Sequence, residues 1–244
     1  METSLHRDLK RIFAATPEQV EVTIDGYRID AIDVRGHLVE IQHAGLGSIR
    51  DKIRTLIQSY PVRVVKPLLR TKWVETYETE EAEEPQRRRK SPKHASFLEA
   101  FPELLHFTSA YPHPNLTVEV LLVDVIERRI PRPHRYRRKK QFRVLDQHLH
   151  ECGESKSLQT HLDLWNLLET PLPKKPFGTA EIAEWIERPR WFAQQVAYVL
   201  DRCGVIQQVD KQGNAKLYAI QEATLKPLPQ KTLTRKRKPR RKAG

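Results

Sequence analysis

The chain has 244 residues, 39% of them hydrophobic and 30% charged, with a formal net charge of +12. That length allows one large domain or two modest ones, and a cationic surplus of this size is the footprint of a polyanion binder. Two cysteines, Cys152 and Cys203, exclude a disulfide framework, no apolar run approaches a membrane span, and the N-terminus METSLHRDLK lacks the apolar stretch of a secretory signal. A cytoplasmic protein that makes no membrane contact is therefore expected. The charge is unevenly spread. Eight of the lysines and arginines fall in 231–244, leaving +4 for the rest of the chain.

Leu5, Leu9 and Ile12 recur at helical spacing and predict a helix over 1–13, which Thr16-Pro17 ends. The pattern then shortens to VEVTI, YRIDAIDV and HLVEIQ, separated by Asp25-Gly26 and Arg35-Gly36. Asp-Gly is a strong hairpin signal, so these stretches read as a three-stranded antiparallel meander. After Gly45 and Gly47, Ile49, Ile53, Leu56 and Ile57 predict a helix over 48–59, and VRVVKPL (62–68) predicts a short strand. Residues 75–94 pass from an acidic run to a basic one and read as a charged, solvated loop. A short helix follows over 96–107, then a strand over 116–130. The basic stretch HRYRRKKQFRV then forms the loop and second arm of a long hairpin.

From Leu158 the pattern changes. SLQTHLDLWNLL is amphipathic, and Pro171, Pro173 and Pro176 mark a turn. TAEIAEWI reads as a short helix with Thr179 at its N-cap. Pro189 stands in the first turn of the next helix, which runs to about Arg202 with Gly204 as its stop. VIQQV and AKLYAI flank DKQGN as a hairpin. Trp185 and Trp191 read as packing residues. His148 and His150 share a strand face without a third ligand, so no zinc site is expected there.

Asp30 lies in the second strand of the meander and Glu40 in the third. Residues two apart share a strand face, so Glu40 and Gln42 point one way while Val39 and Ile41 face a helix. Two carboxylates on adjacent strands supply the hard oxygen ligands that a magnesium ion takes, and such an ion polarises a phosphodiester and helps generate hydroxide.

The run RIDAIDVRGHLVEIQ resembles the core of PD-(D/E)XK nucleases and is most similar to their competence-protein CoiA-like branch. Glu2 precedes Leu5-His6 and Leu9-Lys10, Arg28 precedes Asp30, and Glu40 precedes Gln42. The resemblance covers roughly residues 1–69 and agrees with an α-β-β-β-α-β element order. It implies that Asp30 and Glu40 bind Mg²⁺ or Mn²⁺, and that Gln42 takes the position of the superfamily's usual lysine. It also implies that Glu2 supports the site from the helix and Glu21 from the first strand, with His6 and Arg28 as lesser candidates. Asp33 falls on the other face of its strand. Gln is neutral, so it cannot neutralise developing negative charge as a lysine does.

Three helices followed by a hairpin give the order of a winged helix-turn-helix, and TAEIAEWIERPRWFAQQVAYVLDRCGVI resembles bacterial regulators of that kind. In such domains the third helix enters the major groove and the wing touches the backbone. The polar face of 189–203 offers Arg190, Gln194, Gln195, Tyr198 and Arg202, and the wing offers Lys211 and Lys216. Arg137, Arg138, Lys139 and Lys140 add a basic loop with aromatic neighbours.

The expectation is therefore an α/β (α+β) protein. A nuclease-like domain with a β-rich extension spans 1–150, a winged helix spans 158–221, and a disordered basic tail spans 222–244. The expected function is Mg²⁺-dependent DNA cleavage. The alternatives are a catalytically inactive nuclease fold that binds DNA or regulates, and a module whose winged helix contacts a protein partner.

Overall fold

The computed structural model describes residues 2–132 and 141–222. Arg137, Arg138, Lys139, Lys140 and the basic tail therefore lie outside the described residues. Helix α1 (Ser4–Phe13) starts where Thr3 Oγ accepts from the His6 amide, and it buries Leu5 and Leu9. Strands β1 (Val20–Ile24), β2 (Tyr27–Ile32) and β3 (Leu38–Ile41) form the expected antiparallel meander. Asp25 and Gly26 both carry positive φ, 49° and 81°, as a two-residue hairpin loop that matches strand twist requires.

Helix α2 (Arg50–Leu56) crosses over to β4 (Val62–Thr76), which runs parallel to β3. A short 3-10 turn and α3 (Ala100–Leu104) then lead to β6 (Leu116–Pro131), parallel to β4, and β7 (Phe142–Leu158) returns antiparallel along β6. The sheet order is β1-β2-β3-β4-β6-β7. The fold is mixed α/β with one large mixed sheet.

Two expectations change here. The strand expected over 62–68 continues to Thr76 and passes through Pro67. The last bond between β3 and β4 runs from the Gln42 amide to the Val65 carbonyl. Two residues on, the missing N–H of Pro67 would point to the same side, which β3 no longer occupies, so the ring costs the ladder nothing. The expected loop at 75–94 contains a strand, β5 (Arg87–Lys90), which pairs antiparallel with the far half of β4 on that vacated edge.

The C-terminal part holds α4 (His161–Asn166), α5 (Thr179–Trp185), α6 (Arg190–Arg202) and a hairpin of β8 (Ile206–Gln212) and β9 (Ala215–Ile220). Thr179 begins α5 and does not cap it. Gly178 is the N-cap, and its amide is closed by the Glu181 carboxylate at 2.8 Å. Gly204 ends α6 at φ 74°, the left-handed stop expected of it. Trp185 packs among Trp165 and Phe177, whereas Trp191 is 59% exposed and does not pack as expected.

Two apolar clusters flank the sheet. On one side Leu5 and Leu9 of α1 cover Ala31, Val39, Ile41, Val65, Val123 and Val125. On the other, a larger cluster runs without a break from Ile29, Val64 and Phe101 through Tyr111 and Trp165 to Val196 and Leu200 of α6. Trp165 is 1% exposed, and its indole N–H donates to the Thr170 carbonyl at 3.0 Å. Trp165→Ala is expected to remove about 3–5 kcal/mol of stability in denaturant unfolding, the usual cost of emptying a buried aromatic site.

Candidate functional site

Asp30 sits where β2 and β3 part. Their last paired residues are Ala31 and Val39. Beyond that point the Ile41 amide donates to Asp30 Oδ2 at 2.8 Å in place of a strand partner. The alternation of a regular strand also breaks here, because Ile29 belongs to the α2-side cluster and Ala31 to the α1-side cluster. Opposite, Glu21 holds a left-handed φ of 58°. A non-glycine residue adopts that only when its surroundings hold it, at a cost of order 1 kcal/mol.

Asp30 Oδ1 meets two side chains of α1, His6 Nε2 at 3.3 Å and Lys10 Nζ at 3.5 Å. Lys10 is 5% exposed and also pairs with Glu2 and Glu21 at 2.7 Å each. Arg28 reaches Glu21 from solvent. These groups, with His43 and Gln147, line an open cleft of about 470 Å³.

Glu40 lies behind that cleft. It is 5% exposed and faces α2, where Lys52 Nζ lies 2.5 Å from Oε1 and also donates to the Arg28 carbonyl. Gln42 turns away to its own loop, donating to the Gly45 carbonyl at 3.2 Å and Ser48 Oγ at 2.6 Å. The structure thus brings Glu2, Glu21, His6, Arg28 and Asp30 to one cleft, sets Glu40 against its back, and leaves Gln42 outside. Asp33 is a turn holder: it accepts from the amides of Arg35 and His37 and pairs with Arg63.

The electrostatics of the two carboxylates differ. Burial pushes Asp30 up, but hydrogen bonds from His6 and Ile41 and the charges of His6 and Lys10 outweigh it and hold the group below the ordinary carboxylate value. Burial pushes Glu40 up, the adjacent Asp30 charge adds to that, and Lys52 only partly opposes it. Lys10 is raised although burial alone would lower it, because Glu2, Glu21 and Asp30 surround it. His43 falls to about 4 through burial and the charges of His6 and Lys66, and its Nε2 has no protein partner.

Asp30 in the cleft and Glu40 behind it offer two carboxylates of the kind that magnesium takes with water completing its shell. The donors are all oxygen, and four carboxylates face three permanent cations, leaving one negative charge in excess. Among the described residues no group of three His, Cys, Asp or Glu side chains gathers to hold a metal. Lys52, His43 and Lys66 carry no local sequence signal. Lys66, 2% exposed, pins the 43–44 carbonyls and pairs with Glu103 at 3.0 Å. Each reaches its partner only through strand pairing or the α2 crossover.

On α6, Arg190, Gln194, Tyr198 and Arg202 are exposed and Gln195 is half-buried with Oε1 unpartnered. Lys211 and Lys216 are exposed on the β8–β9 hairpin. Arg190, Gln194, Tyr198, Asn214 and Lys216 line a cavity of about 480 Å³ between α6 and that hairpin.

A family model described as "Domain of unknown function (DUF8091)" matches residues 3–159. A protein of Treponema pallidum (strain Nichols), described as "Uncharacterized protein", is 28% identical over 173 residues, which cover 71% of this chain and 68% of that protein. No solved structure matches.

His43 offers a test of the cleft's burial. Its folded value of about 4 lies below the ordinary histidine value of 6.5, so below pH 6.5 the unfolded chain takes up the proton first. Its contribution to stability is therefore lost as pH falls from 6.5 to about 4. In thermal melts, the Tm difference between His43→Gln and wild type should move in favour of the variant across that window.

Proposed function

The chain belongs to the DUF8091 family, and we propose that it is a divalent-metal-dependent phosphodiester hydrolase acting on DNA, with a PD-(D/E)XK-like core and a C-terminal winged helix. The observation that carries this reading is the carboxylate cluster at the open cleft where β2 and β3 part, with Asp30 lining the cleft and Glu40 behind it. The element order of that region, helix, three antiparallel strands, crossover helix and parallel strand, supports it.

Asp30 and Glu40 would hold Mg²⁺ or Mn²⁺, which when bound polarises the phosphoryl group and lowers the pKa of a coordinated water. The chain's own residues do the rest. His6 and the Ile41 amide fix the Asp30 carboxylate in place. Lys10 and Arg28 place positive charge along the cleft for phosphate oxygens. Lys52 holds an ammonium beside Glu40, the charge that Gln42 lacks. Arg190, Gln194, Gln195, Tyr198 and Arg202 of α6 face base edges, and Lys211 and Lys216 of the hairpin meet the backbone.

One observation favours a second reading. Each carboxylate already has a lysine partner, so the cluster is close to neutral without a metal. A catalytically inactive nuclease fold that binds DNA would look the same. The exposed Trp191 beside Tyr198 likewise suits a protein partner on α6.

Cleavage of plasmid and single-stranded DNA in Mg²⁺ by the full chain separates these readings. Wild type should cut, and Glu40→Ala and Lys52→Met should each lose at least about 100-fold in rate. Equal cleavage by wild type and Glu40→Ala would mark a contaminant and sink the hydrolase. For the winged helix, Arg190→Ala should weaken duplex binding about tenfold in an anisotropy titration, and unchanged affinity would remove α6 from the DNA interface.

A further inference from the structure

Past the end of β3, strands β4, β6 and β7 continue as an arm, with β5 along its edge. From the level of Val65 to that of Thr76, β6 advances from Glu119 to Arg129, about 33 Å at roughly 3.3 Å per residue. One face of the arm is continuous with the cleft. Val125 lies under α1, and Glu127 and Arg129 follow on the same face at strand spacing. Gln147, which lines the cleft, donates to Glu127 at 3.1 Å. Val74 and Thr76 pair with Glu127 and Arg129 on one side, and with Arg89 and Arg87 on the other. Arg87, Arg89 and Arg129 therefore share the cleft's face.

Those three arginines make no ion pair among the described residues, whereas Lys72 is taken by Glu127 at 2.9 Å and Arg88 by Glu75 at 3.6 Å. Arg129 is held along its stem by the Phe142 ring and by Thr76 Oγ at 3.2 Å. Arg87 and Arg89 are exposed. Burial lowers the Arg129 pKa, and the charges of Arg89 and Arg87 lower it further against the opposing charge of Glu127. Charge on an edge strand protects against unwanted pairing, but a lysine or two suffices for that. Here four consecutive cations occupy the strand, and on the cleft side three arginines face one acid, Glu127, which Lys72 already pairs.

We propose that this arm face, through Arg87, Arg89 and Arg129, binds the phosphate backbone of duplex DNA and guides it into the Asp30 cleft. A polyanion supplies, at the far end of the arm, the counter-charge that Glu127 alone does not. The arm spans the rise of about ten phosphates of one strand at ~3.4 Å each. The direction of the track rests on the phosphodiester reading of the cleft; the binding itself does not.

The test uses the full chain in EDTA, with a fluorescent duplex followed by anisotropy across a salt series. Arg87→Gln/Arg89→Gln is compared with Lys174→Gln/Lys175→Gln, an exposed pair elsewhere on the surface. The first should weaken binding about tenfold and lower the log–log salt slope by about 2, at roughly 0.9 per phosphate contact. The second should change neither, and both should melt like wild type. An unchanged slope for Arg87→Gln/Arg89→Gln, or an equal fall in the control, overturns the proposal. So does loss of binding to phosphatidylserine vesicles while the duplex slope holds. Because no metal is present, an inactive Glu40 site leaves these outcomes unaffected, so the two readings fail separately.

Discussion

Strand β3 has four residues and lies against β4, which has fifteen. Their parallel register is locked from Leu38–Val62 to Ile41–Val65, and the Gln42 amide makes the last bond. Much of the molecule follows from that mismatch. Glu40 is the next-to-last residue of β3, so its carboxylate comes to the place where the strand gives out. β2 has no full partner beyond Ala31, which frees the Ile41 amide for Asp30. On the other side, β4 runs on with an open edge, which tolerates Pro67 and accepts β5. The cleft and the arm are two results of one short strand.

The charges around the cleft obey the same rule on both sides of the sheet. A buried carboxylate is costly unless a cation or amide meets it. Asp30 has three such contacts and is held below the ordinary carboxylate value, while Glu40, with Lys52, the Asp30 amide and the like charge of Asp30 nearby, is raised by its burial. Proximity of two groups with opposed shifts is the pattern expected where protonation state matters, although structural ion pairs produce it too. Lys10 and Lys52 hold the pair together from helices on opposite faces of the sheet.

Much of this was legible in the sequence where the signal is local. The Asp25-Gly26 loop, the period-2 stretches and the helical spacing of Leu5 and Leu9 gave the meander and its cover. Asp30 and Glu40 could be named because each stands in a strand with a readable pattern. What could not be read depends on partners far along the chain. Lys52 gains its role only through the α2 crossover, and Gln42 loses its expected place because its loop supplies nearer acceptors. The strand β5 was hidden because four consecutive cations carry no alternation; backbone pairing to β4, not side-chain burial, makes it a strand. Trp191 falls beside a clear apolar stripe on α6, yet its side chain stays outside.

The larger apolar cluster runs from the sheet through Tyr111 and Trp165 into α6 without a polar seam. Cys203, just past α6, touches the Tyr111 carbonyl, and Arg188 pairs with Glu99 beside α3. The family match stops at residue 159, inside the region that this cluster binds together. In this chain the C-terminal helices are as much a wall of the core as they are a surface.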